Sequence, residues 1–188
     1  MKGKMIIFSA PSGSGKSTLI NYLMTQFPNL EFSISATSRS PRGAEQNGVE
    51  YYFLTPEDFR LKIERGEFLE WEEVYADKYY GTLKNEVRRI YEKNNIAVFD
   101  VDVVGGCNIK KMYGAEALSI FIMPPSVNTL KERLINRATD SMEVIENRVA
   151  KAAYEMNFAD KFDRIVVNDD LIHTEALIKK IVGEFVNA

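Results

Sequence analysis

Cysteine and histidine are almost absent from this sequence of 188 residues. The single cysteine, Cys107, excludes an internal disulfide, and without an obvious base beside it we interpret it as a buried structural thiol. The single histidine, His173, has no histidine or cysteine at metal-ligand spacing, so we interpret it as a surface or helix-capping residue. At this length a hydrophobic core is expected to stabilise the fold without cross-links.

Long hydrophobic runs are missing as well. The apolar run near the N-terminus, in "MKGKMIIFSAPSG", is too short for a signal peptide or a membrane span, and glycines follow it at once. We therefore expect a cytoplasmic protein without a membrane partner, in which this run forms the first core strand.

The chain also lacks an excess of positive charge. It has 24 Lys and Arg residues against 27 Asp and Glu residues, a net charge of −3, which disfavours generic binding to nucleic acid or acidic membranes. Hydrophobic residues make up 45% and charged residues 27%, as in ordinary soluble globular proteins. The length suits a single domain.

Short apolar and β-branched runs recur along the chain. Several are apolar nearly throughout, which is typical of strands buried on both faces of a parallel sheet. Helical stripes lie between them, such as the one through Leu19 and Leu23, which we expect to end at Pro28. Alternating strands and helices predict an α/β fold with crossover connections. The predicted strands are 5–9, 32–37, 97–101, 118–123 and 165–167.

Residues 38–82 break this alternation. A long polar loop is followed by two short, half-exposed strands, "VEYYFL" and "FLEWEEVYA". Between them, Thr55 and Pro56 predict the start of a short helix and Gly66 predicts its end. We interpret this segment as an inserted subdomain that carries a site.

The stretch "SAPSGSGKST" at 9–18 matches the phosphate-binding loop G-x-x-x-x-G-K-[ST], except that alanine replaces the first glycine. Gly13 and Gly15 would let successive N–H groups point at one phosphate, at the N-terminus of a helix. Lys16 would reach the β- and γ-phosphates, and the Ser17 hydroxyl would ligate Mg²⁺. A chance match is the alternative, but the position between a strand and a helix favours a loop that binds a nucleoside triphosphate.

Two acidic residues, Asp100 and Asp102, follow the apolar run "IAVF". A carboxylate at a strand end could hold the hydration shell of Mg²⁺, and we favour Asp102 for this role, although an aspartate there also often caps a turn. The segment 102–105 reads D-x-x-G, as in GTPases, but the guanine-reading tetrapeptide N-K-x-D is absent. A switch GTPase is therefore disfavoured.

Three arginines stand out in the C-terminal third. Arg133 and Arg137 share one helical face at i, i+4, and Arg148 lies on the next helix, for which Asp140 and Glu143 form a capping-box-like start. Arginines on two helices around a loop could cover transferring phosphates and neutralise their charge. A solvated helix face is the commoner fate of a single arginine, so both interpretations stay open.

Together these pieces resemble the guanylate kinase family, P-loop enzymes that move the γ-phosphate of ATP to GMP. The resemblance covers essentially the whole chain, and the family has glycine or alanine where Ala10 stands. It implies a parallel five-stranded core sheet flanked by helices, an inserted mixed α/β GMP-binding subdomain and a helical lid. The implied boundaries are about 1–34, 83–125 and 156–188 for the core, 35–82 for the insertion and 126–155 for the lid. The motifs are "SAPSGSGKST", "SATSRSPRGAEQNGVEYYF", "FLEWEEV", "YYGT", "FDVDVVGG", "PPS", "RLINR" and "IVVNDD".

The resemblance also implies roles for individual residues. The residues expected to contact ATP are Ala10, Pro11, Ser12, Gly13, Ser14, Gly15, Lys16, Ser17, Thr18, Arg133 and Asn168. Those expected to contact GMP are Ser35, Arg39, Arg42, Tyr51, Glu70, Tyr80, Thr82 and Asp102. The implied catalytic residues are Lys16, Arg137 and Arg148. Mg²⁺ that arrives with ATP is expected on Ser17 and, through water, on Asp102.

Glu70 and Thr82 are implied to read the guanine base together with Ser35. Guanine presents N1–H and N2–H₂ as adjacent donors, and an ionised glutamate accepts both. Adenine presents a bare N1 acceptor at that edge, so a site with an unpaired carboxylate would reject it. Many relatives have serine at position 82, and threonine keeps the hydroxyl but adds a methyl group.

ATP and GMP, and by extension dGMP, are therefore the expected substrates, in a reaction that recycles GMP and supplies guanine nucleotides. One rival is a non-catalytic guanylate-kinase-like protein-binding module, but such modules have typically lost the loop lysine that this chain retains at Lys16. The other is a kinase for a different nucleoside monophosphate, which Glu70 and Thr82 argue against. The oligomeric state stays open.

Overall fold

The computed structural model of the protein describes residues 3–136 and 141–188. The strands, in chain order, are β1 (Met5–Ser9), β2 (Leu30–Phe32), β3 (Ala36–Thr37), β4 (Tyr52–Phe53), β5 (Phe68–Tyr75), β6 (Lys78–Leu83), β7 (Ile96–Asp100), β8 (Ala117–Met123) and β9 (Arg164–Val167). The helices are α1 (Lys16–Gln26), α2 (Pro56–Glu64), α3 (Lys84–Glu92), α4 (Val103–Tyr113), α5 (Val127–Asn136), α6 (Met142–Met156) and α7 (Leu171–Asn187).

Five parallel strands form the central sheet in the order β2-β7-β1-β8-β9. The central strand β1 is fully buried, as its uninterrupted apolar sequence predicts. Its side chains alternate between two cores: Ile6 and Phe8 face α1 and α7, whereas Met5 and Ile7 face α3 and α4. The predicted α/β class with a parallel five-stranded sheet is confirmed.

A second, mixed sheet lies beside the first, in the order β4-β3-β6-β5. Pairs β3–β6 and β5–β6 are antiparallel, and β3–β4 is parallel. Its own small core surrounds Phe59 of α2, whose ring stacks on Phe68 at 4.2 Å. This sheet occupies the part of the chain that broke the strand–helix alternation, and the exact subdomain boundaries stay a prediction.

The predicted strand 32–37 is wrong as a single element. Its beginning belongs to β2 of the central sheet and its end to β3 of the second sheet. The chain bends between them because the Ser33 N–H donates to Val98 O (2.9 Å) and the Ile34 N–H donates to the Glu86 side chain (3.1 Å). The run therefore connects two sheets.

The strand predicted in "VEYYFL" is shorter than expected, because only Tyr52–Phe53 are extended in the sheet. The first residues of the run form a turn, closed by the Gly48 N–H donating to Tyr51 O at 2.8 Å. The next strand, β5, matches its prediction closely, at Phe68–Tyr75.

Helix boundaries mostly follow the local signals. Thr55 caps α2 by accepting the Asp58 N–H, Pro56 is the first helical residue, and Gly66 follows the helix end at φ 64°. The expected start of α6 is wrong in detail, because Ser141 caps it by accepting the Val144 N–H, and the predicted cap, Asp140, lies outside the described residues.

The two rare residues have no part in the site. Cys107 is half-buried against the cluster of Val103, Phe121 and Phe162, and burial raises the pKa of its thiol. His173 has an almost fully exposed side chain in the first turn of α7, and its N–H donates to the capping Asp170. Cys107 is thus less buried than predicted, and His173 lies at the surface while Asp170 provides the cap.

Candidate active site

The phosphate-binding loop joins the end of β1 to the start of α1. Gly13 and Gly15 have positive φ, 97° and 89°, which only glycine adopts without strain. The φ angle of Ala10 is not positive, so an alanine at the first position of the motif needs no special backbone conformation. Residues of the loop and of the first turn of α1 line one cavity, as expected for an anion site at a helix N-terminus.

Lys16 and Asp100 form an ion pair across the ends of the two neighbouring strands β1 and β7. The pair lies at the cavity wall, where each side chain retains partial exposure, 18% and 27%. Ser17 is exposed and lines the same cavity. A hydroxyl and a carboxylate are suitable oxygen ligands for the Mg²⁺ that accompanies ATP, so the residues present fit that ion.

Asn168 holds the phosphate-binding loop in place through hydrogen bonds. Its side-chain amide donates to Ser14 O at 2.7 Å, and its own backbone carbonyl accepts from Arg133 at 3.0 Å. A Cβ at Gly15 would lie 2.3 Å from the Asn168 amide nitrogen, so the second glycine of the loop is needed for this close approach. Arg133 and Asn168 also line a second cavity of about 400 Å³ that opens beside the loop.

The far end of the main cavity is acidic. Thr82 is fully buried, and its hydroxyl donates to Glu70 at 2.8 Å, across the β5–β6 pair. Burial raises the pKa of Glu70 to about 7; the Thr82 hydrogen bond opposes that effect and the charge of Asp102 adds to it. Thr82 therefore touches the site through Glu70, and the two residues that the resemblance paired are in direct contact.

Asp102 caps α4 by accepting the Gly105 N–H at 2.7 Å, which is the turn-capping alternative raised by the sequence. The same carboxyl group contacts Glu72, and this hydrogen bond, together with burial, raises the pKa of Glu72. The structure thus places Asp102 beside the acidic end of the cavity and Asp100 beside Lys16. Glu72 is a residue that the sequence analysis missed, although it lies two residues from Glu70 on the same strand.

Tyr51 and Tyr80 form a third wall of the cavity, and Arg39 packs against Tyr51 without lining the cavity itself. The Arg39 guanidinium lies 4.9 Å from the Tyr51 ring centroid, and the Tyr51 and Tyr80 rings are 6.1 Å apart. Glu45, also missed from the sequence, binds Arg39 through two hydrogen bonds of 2.6 and 2.8 Å and is the main reason that the pKa of Arg39 is raised. Arg42 is exposed and does not line the cavity.

The two helices α5 and α6 pack on each other at the open side of the cavity through Leu130, Leu134 and Ile145. Arg148 on α6 reaches Ser12 of the phosphate-binding loop at 3.5 Å. Lys151 and Glu155, at the following turns of the same face, also line the cavity and were not singled out in the sequence. Arg137, the other expected lid arginine, lies outside the described residues.

One cavity of about 510 Å³ connects these walls. The expected site residues that line it are Ala10, Pro11, Ser12, Gly13, Gly15, Lys16, Ser17, Thr18, Ser35, Tyr51, Glu70, Tyr80, Asp102 and Arg148. The phosphate-binding loop and the acidic pair thus face one space. The residues that the sequence analysis missed belong to no recognised local motif. Their place at the site depends on the fold.

The described residues contain neither a metal-binding cluster nor a membrane-spanning helix. No group of three or more His, Cys, Asp and Glu side chains is placed to hold a metal ion by itself. Within 3–136 and 141–188, no helix combines the length and the apolar character needed to cross a membrane.

Comparisons with known proteins agree with the fold. The guanylate kinase family profile matches residues 2–184. The guanylate kinase of Bacteroides thetaiotaomicron is 65% identical over 187 residues, which cover 100% of this chain and 92% of that protein. The guanylate kinase of Porphyromonas gingivalis is 59% identical, over 97% of this chain and 98% of its own.

A solved structure supports the same conclusion. The crystal structure of guanylate kinase from Anaplasma phagocytophilum superposes with a TM-score of 0.75 at 29% sequence identity, covering 97% of this chain and 86% of the other. The sequence profile and the close relatives establish the family, and the solved structure agrees in fold. The chain belongs to the guanylate kinase family.

Proposed function

We propose that the protein transfers the γ-phosphoryl group of ATP to GMP and yields ADP and GDP. The observation that carries this proposal is the single cavity in which the phosphate-binding loop with Lys16 faces the Glu70–Thr82 pair. A triphosphate site alone would fit many enzymes, and a guanine-reading carboxylate alone would fit many binders. Their sharing one cavity favours transfer between two nucleotides, and dGMP is a second acceptor of the same base chemistry.

ATP binds through the loop in this account. The N–H groups of the loop and the α1 N-terminus, with Lys16, surround the β- and γ-phosphates, and the adenosine extends toward the second cavity at Arg133 and Asn168. When bound with ATP, Mg²⁺ would be held by the Ser17 hydroxyl and through water by Asp100 or Asp102, and would neutralise phosphate charge. Asp100 already contacts Lys16, which makes it the better placed of the two.

GMP binds at the acidic end. An ionised Glu70 accepts N1–H and N2–H of guanine, and Asp102 lies close enough to the same end to accept from the amino group. Ser35 lines the same end and can contact the base edge. Adenine would leave the buried carboxylate facing a lone pair, which disfavours AMP strongly.

The GMP phosphate is assigned to the group of Arg39, Tyr51 and Tyr80, with Arg42 joining from the exposed loop. The Arg39 Nε is buried and has no hydrogen-bond partner among the described residues, so it is available to a phosphate oxygen. Glu45 already fixes the orientation of this guanidinium, which reduces the entropy lost on binding. This placement directs the phosphate of GMP toward the loop.

Transfer then requires alignment and charge neutralisation, with no covalent enzyme intermediate. Lys16 and Arg148, with Arg137, stabilise the charge on the transferring phosphoryl group. Closure of α5 and α6 over the cavity excludes water, which would otherwise accept the phosphoryl group. The non-catalytic module is not favoured, since Lys16 and Arg148 are present at the loop and the close relatives are guanylate kinases.

The test is nucleotide analysis of purified protein incubated with ATP, Mg²⁺ and GMP. We expect equimolar ADP and GDP, and we expect Lys16→Ala to lower turnover by at least about 10³-fold because its charge stabilises the transferring group. The control is Lys111→Ala, an exposed lysine on α4, which should turn over normally. ADP release that does not depend on GMP, or normal turnover by Lys16→Ala, would contradict the proposal.

A further inference from the structure

The carboxyl group of Glu70 is held from two opposite sides. Its Oε1 accepts the Thr82 hydroxyl at 2.8 Å on the strand side. Its Oε2 lies against the first turn of α4, where a Cβ built on Gly105 would be 2.9 Å from Oε2 and 3.5 Å from Cδ of Glu70. The hydrogen atom of Gly105 therefore occupies the place where any other residue would put a carbon atom.

The backbone at Gly105 does not itself require glycine. The residue lies inside the helix Val103–Tyr113 and its φ is not positive, so alanine could adopt the same conformation. Alanine would favour the helix there by about 1 kcal/mol relative to glycine. A glycine stands here because there is no room for a Cβ, since the side chain of Glu70 fills that space.

The neighbouring Gly106 differs in what it touches. A Cβ there would lie 2.8 Å from the Ser9 Oγ and 3.2 Å from the Phe162 ring. These atoms belong to the contact of α4 with the central sheet and with the C-terminal part of the chain. Gly106 therefore serves the packing of the fold. Its neighbour Gly105 instead leaves room for the side chain of Glu70.

The atoms that would have to move at Gly105 are the ends of two side chains, mainly Glu70 and to a smaller extent Asp102, whose Oδ1 would lie 3.2 Å from the Cβ. Ordinary contact begins near 3.4 Å, so Oε2 of Glu70 would have to retreat by about half an ångström. Because the helix backbone is fixed and the carboxylate is the free end of a side chain, Glu70 would move rather than the fold. A shift of about 0.5 Å is the tolerance within which a binding group must be held.

We propose that Gly105 is a specificity-positioning residue, whose missing side chain sets the position of the Glu70 carboxylate against the Watson–Crick edge of guanine. This inference rests on the proposed function. Both carboxylate oxygens must meet guanine donors at about 2.7–3.2 Å, so a displaced Oε2 breaks one of the two hydrogen bonds. Gly105 acts through Glu70 and has no contact with the substrate of its own in this account.

The test is binding of GMP and inosine monophosphate, which lacks the 2-amino group, to Gly105→Ala by calorimetry. We expect the Kd of GMP to rise about 10–100-fold and the preference for GMP over inosine monophosphate to shrink, because a hydrogen bond to a charged group is lost. ATP affinity and the thermal unfolding temperature should not fall. Gly106→Ala is the control, which should lose thermal stability and keep the GMP preference.

A double-mutant cycle separates this proposal from its alternatives. If Gly105 acts through Glu70, Gly105→Ala should weaken GMP no further in a Glu70→Gln background. Equal losses in both backgrounds, an unchanged preference for GMP, or unfolding of Gly105→Ala would each overturn the role of Gly105. Failure of the wild-type protein to phosphorylate GMP would overturn the proposed function.

Discussion

A carboxyl group that reads guanine must be ionised, yet Glu70 lies where burial disfavours the ionised form and raises its pKa to about 7. The charge of the nearby Asp102 acts in the same direction. Hydrogen bonds from the hydroxyl and from the backbone of Thr82 oppose these effects. In the proposed function, the donors of guanine would supply the missing stabilisation, and the base would be recognised because it completes the hydrogen bonds of this carboxyl group.

This arrangement predicts a pH dependence of GMP binding. Below pH 7 the empty site holds a proton on Glu70, and binding must release it, so affinity should fall by up to about tenfold per pH unit below 7 and level off above. The measurement is the Kd of GMP by calorimetry from pH 5.5 to 8.5.

Glu70→Gln is the matched control for this pH series, because it retains the titration of the GMP phosphate, whose second pKa is about 6. The variant should bind GMP weakly, and the pH dependence of its Kd should contain only the contribution of the GMP phosphate. The same pH slope in the wild type and in Glu70→Gln would show that Glu70 does not titrate on binding.

At the scale of the element, the phosphate-binding loop depends on a residue far away in sequence. Asn168 follows β9 and donates to Ser14 O, so the C-terminal end of the central sheet fixes the loop. This contact brings the second cavity next to the phosphate site. In the strand order β1-β8-β9, one strand separates the two strands that lead into these chain segments.

Asn168→Ala should therefore weaken the ATP half of the site selectively. We expect the free energy of unfolding to fall by about 1–3 kcal/mol, because a buried hydrogen bond to the Ser14 carbonyl is lost, and we expect ATP affinity to fall with it. GMP affinity should stay unchanged. Denaturant unfolding and separate titrations with ATP and GMP measure this, with the exposed neighbour Asp169→Asn as the control for unfolding. Equal losses for both nucleotides would contradict a local role.

The elements that sequence reasoning found are those with local signals. Gly13, Gly15 and Thr55-Pro56 determine their own backbone or cap, so the loop and the start of α2 follow from the sequence. The split of 32–37 between two sheets could not be predicted, because the bend depends on Glu86, about 50 residues away, accepting the Ile34 N–H. The resemblance supplied the residues of the GMP half, and the geometry of Glu45 and Glu72 came only with the fold.

At the scale of the whole molecule, Glu86 connects the second sheet to the core. It is 3% exposed, and it accepts from Ile34 N–H at the entry to the second sheet and from the Tyr52 hydroxyl within it. Arg89 binds Glu86 and also Glu31 of β2. Burial alone would raise the pKa of Glu86, but hydrogen bonds from Arg89, Ile34 and Tyr52 lower it below its usual value.

A lowered pKa in the folded state means that Glu86 stabilises the fold above its unfolded pKa of about 4.3, and that this contribution is lost as pH falls below it. We expect Glu86→Gln to lower the free energy of unfolding at pH 7 by about 1.5–3 kcal/mol and to flatten its decline in acid. Denaturant unfolding between pH 3 and 7 measures both. The exposed Glu57→Gln is the control and should leave the profile unchanged. An acid decline as steep in Glu86→Gln as in the wild type would contradict this role.

For the whole molecule, the central claim is that one cavity holds two nucleotides and that Glu70 determines which nucleoside monophosphate accepts the phosphoryl group. The most direct test is kcat/KM for GMP and for AMP, with CMP and UMP as further acceptors, in the wild type and in Glu70→Gln. The account predicts that the wild type favours GMP over AMP by about 10⁴-fold, and that Glu70→Gln loses most of this preference by losing GMP turnover. Comparable turnover of AMP and GMP by the wild type, or an unchanged preference in Glu70→Gln, would contradict it.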